Sequence, residues 1–71
     1  MYKKLKCLRI KNKYTTKVMA DKLGISKPFY SQLENQNRRL SYEMAIRISH
    51  IFNLKPDDIF YEDHGNHEEN S

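Results

Sequence analysis

Side chains that can form specific hydrogen bonds are concentrated near the middle of the chain, in the stretch KPFYSQLEN. At 100° per residue, one side of a helix through this stretch is polar. That side carries Pro28, Ser31, Gln32 and Asn35, with Lys27 and Phe29 on its flanks. A cation, an amide and a hydroxyl on one solvent-facing side are the groups with which a helix reads base edges in a major groove.

A second group of residues has the chemistry of phosphate binding. Thr16 and Lys17 open the preceding helix, where unpaired backbone N–H groups can hold an anion. Asn35, Arg38 and Arg39 follow the polar helix and are predicted to contact the next phosphates. The alternative for the two arginines is a solvated loop without a fixed partner.

Two short helices joined by a tight turn would position these groups. Thr15 and Ser26 are predicted N-caps, and Pro28 lies in a first turn, where a missing N–H costs little. Gly24 follows the first helix, where the chain must pass through a left-handed conformation. The predicted inward residues are Val18, Met19, Ala20 and Leu23 on the first helix and Tyr30 and Leu33 on the second.

This segment resembles the helix-turn-helix of the phage repressor and Cro family, the Xre-type transcriptional regulators, and the similarity extends over about residues 3–60. Ala20 is small where the two helices cross, and Gly24 makes the turn. The matching residues are Thr15, Ala20, Leu23, Gly24, Ile25, Ser26, Tyr30, Leu33, Glu34 and Asn35. The resemblance implies a bacterial or phage repressor of lambda-repressor-like fold that binds a palindromic double-stranded operator as a homodimer.

In this family the recognition helix, here about residues 27–36, lies in the major groove with its N-terminal residues at the bases. The resemblance therefore implies base contacts by Lys27, Pro28, Phe29, Ser31 and Gln32. Pro28 cannot donate, so it would shape the approach or touch a thymine methyl. Phe29 would either contact a methyl or pack beside Tyr30. The resemblance also implies an ion pair between Arg9 and Glu34, the alternative being two independent surface charges.

The rest of the chain predicts an all-α fold of four helices and a short fifth. The first helix would run over about residues 2–12, with Leu5 and Leu8 inward and Cys7 and Ile10 partly covered. Residues 36–40 form a loop in which Asn37 is the candidate for a left-handed conformation. The fourth helix would run from the N-cap Ser41 to about Phe52, followed by left-handed Asn53 and a last helical turn from Pro56. The predicted inward residues of the fourth helix are Met44, Ala45, Ile48, Ile51 and Phe52. The core is completed by Leu54, Ile59 and Phe60.

Length and charge indicate one domain and an anionic partner. The 71 residues carry a net charge of +4, but residues 1–61 hold all 13 basic and five of the nine acidic residues, and therefore a charge of +8. This favours a polyanion partner, although a merely soluble surface has the same property. Residues 62–71 are predicted to be a disordered acidic tail. One cysteine and the lack of a signal sequence or an apolar run of about 20 residues indicate a cytoplasmic protein without a membrane segment.

The sequence offers no catalytic constellation, so an enzyme is not predicted. The chain has only two glycines, Gly24 and Gly65, which is too few for a Gly-rich phosphate loop. Nothing in the sequence supports Cys7 and His50 as a nucleophile pair, and Cys7 is instead expected to be buried or half-buried. His64 and His67 have the spacing of metal ligands but lack a second pair. Neither a cofactor nor a small-molecule ligand is predicted.

Two alternatives from other classes stay open. One is an antitoxin-like or adaptor protein that meets a protein partner through the acidic tail or through Tyr61 with Phe60. The other is a small metal-buffering protein. A homodimer would use the surface around Ile51, Leu54 and Tyr61, and a monomer that dimerises only on DNA fits the sequence equally well.

Overall fold

The computed structural model of the chain describes residues 1–61, which form five helices and no strand. The helices are α1 (Lys3–Lys11), α2 (Thr16–Leu23), α3 (Lys27–Glu34), α4 (Tyr42–Ile51) and α5 (residues 56–61). The predicted all-α fold is thus confirmed, whereas the predicted acidic tail lies outside the described residues. None of these helices is long and apolar enough to cross a membrane.

Hydroxyl side chains begin three of the five helices, as predicted. The side-chain oxygens of Thr15, Ser26 and Ser41 each accept from the backbone N–H three residues later, at 3.1, 3.2 and 3.1 Å. Each bond satisfies one of the N–H groups that a helix leaves without an internal partner. α1 begins differently, since the N–H of Tyr2 donates to the backbone carbonyl of Glu34 at 2.9 Å. The start of α1 is therefore fixed to the end of α3.

A left-handed residue follows each of helices α1 to α4, one or two positions after the last helical residue. The next N–H then donates to the carbonyl five residues back, at 2.8–3.0 Å, which satisfies a terminal carbonyl. Gly24 and Asn53 were predicted in this role, but the prediction of Asn37 was wrong, because Gln36 takes the left-handed conformation and Asn37 supplies the N–H. The four residues are Lys13 (φ 60°), Gly24 (φ 70°), Gln36 (φ 61°) and Asn53 (φ 56°).

All five helices contribute to the core, in which the Tyr30 side chain is fully buried. The rings of Tyr2 and Phe60 meet edge to face with centroids 5.0 Å apart, which joins the residue before α1 to α5. The other buried apolar residues are Leu5, Met19, Ala20, Leu23, Leu33, Ala45, Ile48 and Ile59. Half-buried Leu8, Tyr14, Ile25, Leu40, Met44, Ile51, Phe52 and Leu54 pack around them.

Three residues predicted to be inward or partly covered are exposed: Cys7, Ile10 and Val18. At 100° per residue, Cys7 and Ile10 are rotated by about 200° and 140° from the fully buried Leu5. Because α1 packs along one edge only, side chains at such angles reach solvent. Val18 lies about 100° from buried Met19 and marks the edge of the α2 packing surface.

Candidate nucleic-acid interface

Helices α2 and α3 form the supporting pair of the candidate interface. Ala20 is 1% exposed, and its carbonyl accepts from the N–H of Ile25 at 3.0 Å across the turn. A Cβ at Gly24 would meet nothing within 4 Å, so its left-handed backbone, and not a lack of space, explains the glycine. Ala20 and Gly24 thus fix the angle at which α3 leaves α2.

The outward side of α3 presents the predicted base-reading residues. Lys27, Pro28 and Gln32 are exposed, Ser31 is half-buried, and the inward side buries Tyr30 and Leu33. α3 ends at Glu34, two residues before the predicted end, because Asn35 and Gln36 form the capping turn. The polar groups therefore lie on two helical turns that are held by the Ser26 cap at one end and the Gln36 turn at the other.

Arg38 folds back over α3, an arrangement that sequence reasoning missed. Its Nε donates to Oε1 of Gln32 at 2.9 Å, and its guanidinium carbon lies 4.6 Å from the ring centroid of Phe29. The sequence analysis expected Phe29 either to contact a base methyl or to pack beside Tyr30. In the structure its ring lies against the guanidinium of Arg38. No spacing rule could have found these contacts, since they cross a loop and depend on the left-handed turn at Gln36.

The predicted phosphate-binding residues lie at both ends of the α2–α3 pair. Thr16 is half-buried in the first turn of α2, and Lys17 beside it is exposed, with Nζ 3.8 Å from Asp21. An exposed ion pair of this kind contributes little free energy in water, so the Lys17 ammonium group stays available to bind a phosphate. Asn35 and Arg39 are exposed beyond the end of α3. One set thus opens α2 and the other follows α3, and both include exposed side chains that can bind phosphate oxygens.

A largely buried ion pair supports α3 on its inward side. Arg9 of α1 donates from Nε and Nη2 to the two carboxylate oxygens of Glu34, at 2.8 and 3.3 Å, so the predicted pair is present. Tyr30 donates its hydroxyl to the same carboxylate at 3.1 Å, a contact that the sequence analysis missed. The bond to Glu34 raises the pKa of Arg9, while burial and then the Glu34 charge raise the pKa of Tyr30 above its ordinary value.

Metal chemistry has no support in the described part of the chain. No group of three or more His, Cys, Asp or Glu side chains is close enough there to hold an ion. His64 and His67, the pair with metal-ligand spacing, lie outside the described residues.

Comparison with known proteins gives a consistent result. Residues 2–61 match the family described as helix-turn-helix domain. The chain is 42% identical over 53 residues to the HTH-type transcriptional regulator YqaE of Bacillus subtilis and 37% identical over 51 residues to the propionyl-CoA carboxylase regulator of Cereibacter sphaeroides. These alignments cover 75% and 72% of the chain but only 46% and 11% of the two relatives.

A solved structure shares the fold. The clp gene regulator ClgR from Corynebacterium glutamicum superposes with a TM-score of 0.75 over 87% of this chain and 66% of that one, at 22% identity. The family match over residues 2–61 shows that the chain belongs to the helix-turn-helix domain family. The resemblance found in the sequence is thus confirmed as membership of a helix-turn-helix family.

Proposed function

We propose that the chain is a sequence-specific DNA-binding transcriptional regulator that reads the major groove with α3. The observation that carries this proposal is the outward side of α3, where Lys27, Ser31 and Gln32 present a cation, a hydroxyl and an amide on a braced helix. These groups match the acceptors and donors of purine edges: lysine donates to guanine O6 and N7, and glutamine pairs with adenine. The names of YqaE and the carboxylase regulator agree with this role.

Charge supports the same function. Residues 1–61 carry +8, and the exposed Lys17 and Arg39 lie on α2 and in the loop after α3. Neutralising phosphates releases counterions, which supplies much of the affinity of such proteins for DNA. The structured part therefore has both a reading surface and residues for holding the backbone. Because its target is genomic DNA, we place the protein in the cytoplasm.

A homodimer on a palindromic operator is the proposed assembly. A two-helix motif reads only a few base pairs, and dimers of such motifs bind half-sites about 34 Å apart. Ile51 and Leu54 are half-buried and Tyr61 is 65% exposed, so the predicted dimer surface offers apolar area. A dimer that blocks polymerase access would act as a repressor.

One observation favours a second candidate, an antitoxin-like or adaptor protein. Tyr42 and Tyr61 are 76% and 65% exposed and could meet a protein partner. Phe60, which the sequence analysis named together with Tyr61 as a possible partner contact, is 4% exposed and belongs to the core. Tyr42 and Tyr61, and not Phe60, would therefore be the aromatic contacts of such a complex, and the acidic tail, the other predicted contact, lies outside the described residues.

Selection of duplexes from a random library by the full chain tests the proposal. We expect an enriched sequence with two-fold symmetry, bound at least about a thousand times more tightly than a scrambled duplex at physiological salt. Sedimentation of the chain with the selected duplex would then give the stoichiometry. Equal binding to all sequences, or none, would reject DNA reading and leave the protein-partner role.

A further inference from the structure

We infer that Arg38 is a positioning residue for base recognition: it fixes the amide of Gln32 in the orientation that selects adenine. This inference rests on the proposed function and deepens it. The residues that carry it are Arg38, Gln32 and Phe29, which together form the Arg38 cluster. Arg38 then does more than add positive charge near the phosphates.

Hydrogen-bond chemistry fixes which end of the amide faces Arg38. The Nε–H of arginine can only donate, so its partner 2.9 Å away on Gln32 must be the oxygen, Oε1, and not the amide nitrogen. A reversed amide would place its NH₂ group against the Nε–H, with two donors facing each other. The Gln32 amide is therefore held in one of its two orientations.

The backbone holds Arg38 at this distance. The carbonyl of Gln32 accepts from the N–H of Asn37 at 2.8 Å, so the turn that returns the chain is anchored on Gln32 itself. The left-handed Gln36 makes that turn possible, and the ring of Phe29, one helical turn before Gln32, lies against the guanidinium. One hydrogen bond and one ring contact thus hold the Arg38 side chain, and the backbone bond fixes the turn that leads to it.

The fixed orientation has a consequence for base choice. Adenine offers an N7 acceptor and an N6 donor, which match the Nε2–H of Gln32 and the second lone pair of its Oε1. Guanine O6 and thymine O4 are acceptors and would face Oε1 unfavourably. A freely rotating amide escapes that conflict by turning over, so removing the restraint should admit these bases.

Arg38→Lys tests this inference because it keeps the charge but removes both the Nε–H and the planar group that lies on Phe29. The base pair read by Gln32 is first found as the one at which Gln32→Ala loses discrimination. Duplexes with each of the four base pairs at that position are then bound to the full chain and to Arg38→Lys at several salt concentrations. Arg47→Lys is the matched control, as it makes the same change at an exposed position on α4, outside α2, α3 and the loop after α3.

We expect Arg38→Lys to reduce the preference for adenine over guanine and thymine about tenfold at that position alone. Its salt dependence should match that of the unchanged chain, and Arg47→Lys should keep full discrimination. In the double variant with Gln32→Ala, Arg38→Lys should cause no additional loss of discrimination, because the residue it positions is gone.

Unchanged discrimination in Arg38→Lys, or an equal loss at every base pair, would overturn the inference and return Arg38 to a backbone role. A chain that selects no DNA sequence is a different result, since it rejects the proposed function as well. Loss of structure is excluded by thermal unfolding of each variant.

Discussion

The Nε of Arg9 on α1 lies 2.8 Å from Oε1 of Glu34 on α3, and both side chains are nearly buried, at 12% and 5% exposure. Arg9 also donates from Nη1 to the carbonyl of Tyr14 at 3.0 Å. A single guanidinium thus connects α1, the loop after it and the last turn of α3. Because α3 carries the candidate reading surface, this pair couples the stability of the fold to the placement of that surface.

Removing one member of the Arg9–Glu34 pair should strongly lower the stability of the fold. Among the described residues, Arg9→Ala leaves the Glu34 carboxylate with Tyr30 as its side-chain partner, and a buried charge without its counter-ion typically costs about 3–5 kcal/mol. That is comparable to the whole stability expected of so small a domain, so we expect Arg9→Ala to be largely unfolded at 25 °C. Circular dichroism with urea titration measures this.

The double variant Arg9→Met/Glu34→Met is the control for that experiment. Replacing both charges by apolar side chains of similar length leaves no buried ion, so it should be clearly more stable than Arg9→Ala. A second control, Lys55→Ala, removes one positive charge from an exposed position elsewhere in the fold. If Arg9→Ala and Lys55→Ala unfold at the same urea concentration, the pair contributes nothing and the argument fails.

Gln32→Ala should lower specific binding by about 1–3 kcal/mol and leave binding to random DNA nearly unchanged. The reason is the position of its amide on the outward side of α3. Asn35→Ala removes another amide three residues along, at a predicted phosphate contact, and should weaken both kinds of binding alike. Fluorescence anisotropy with selected and scrambled duplexes separates the two. Equal losses in Gln32→Ala would make Gln32 a backbone contact.

Arg39→Ala should flatten the salt dependence of binding. Each lost phosphate contact removes about 0.9 from the slope of log K against log salt, whatever the DNA sequence. Lys55→Ala is the matched control, because it removes the same charge from an exposed position outside α2 and α3. Titrations between about 50 and 200 mM salt give the slopes. An unchanged slope in Arg39→Ala would mean that the residue belongs to a solvated loop.

The sequence predicted the helices and caps well because their signals are local. Thr15, Ser26 and Ser41 are short hydroxyl residues directly before helical patterns, and each needs only the N–H three residues on. The Arg9–Glu34 pair, in contrast, joins residues 25 apart, and only the family resemblance pointed to it.

The errors have physical causes as well. Gln36 was not expected in a left-handed conformation because asparagine, next to it, tolerates that region better. The hydrogen bonding at the end of α3 requires Gln36 instead. The N–H that donates to the carbonyl of Gln32 belongs to the residue after the left-handed one, and that residue is Asn37. The contacts of Arg38 depend on this turn, so they could not be predicted without it.

Alkaline pH should reduce stability through Tyr30. The pKa of Tyr30 is raised by burial and by the Glu34 carboxylate, so the folded state favours the neutral phenol more than the unfolded state does. Its contribution is therefore fully present below the unfolded value of about 10 and is lost as the pH rises above it. Urea titrations between about pH 7 and 11 should show the decline.

Tyr30→Phe isolates this effect. At neutral pH the variant lacks the hydrogen bond to Glu34 and should be less stable by about 1 kcal/mol. Above pH 10 the wild type loses the additional stability and the variant does not, so the difference between them should shrink. A difference that stays constant over this range would show that Tyr30 does not titrate with unfolding.

The left-handed helix ends allow opposite changes at two equivalent positions. Gly24→Ala should destabilise the fold by about 1–2 kcal/mol, and the cost is one of backbone conformation alone, because the added Cβ meets nothing within 4 Å. Lys13 holds nearly the same φ, 60° against 70°, and is exposed, so Lys13→Gly should leave stability unchanged or raise it by up to about 1 kcal/mol. Each kcal/mol corresponds to a shift of about 4–8 °C in Tm for a domain of this size. If Lys13→Gly lowered Tm as much as Gly24→Ala does, the left-handed strain at Lys13 would not be what limits the stability of that turn.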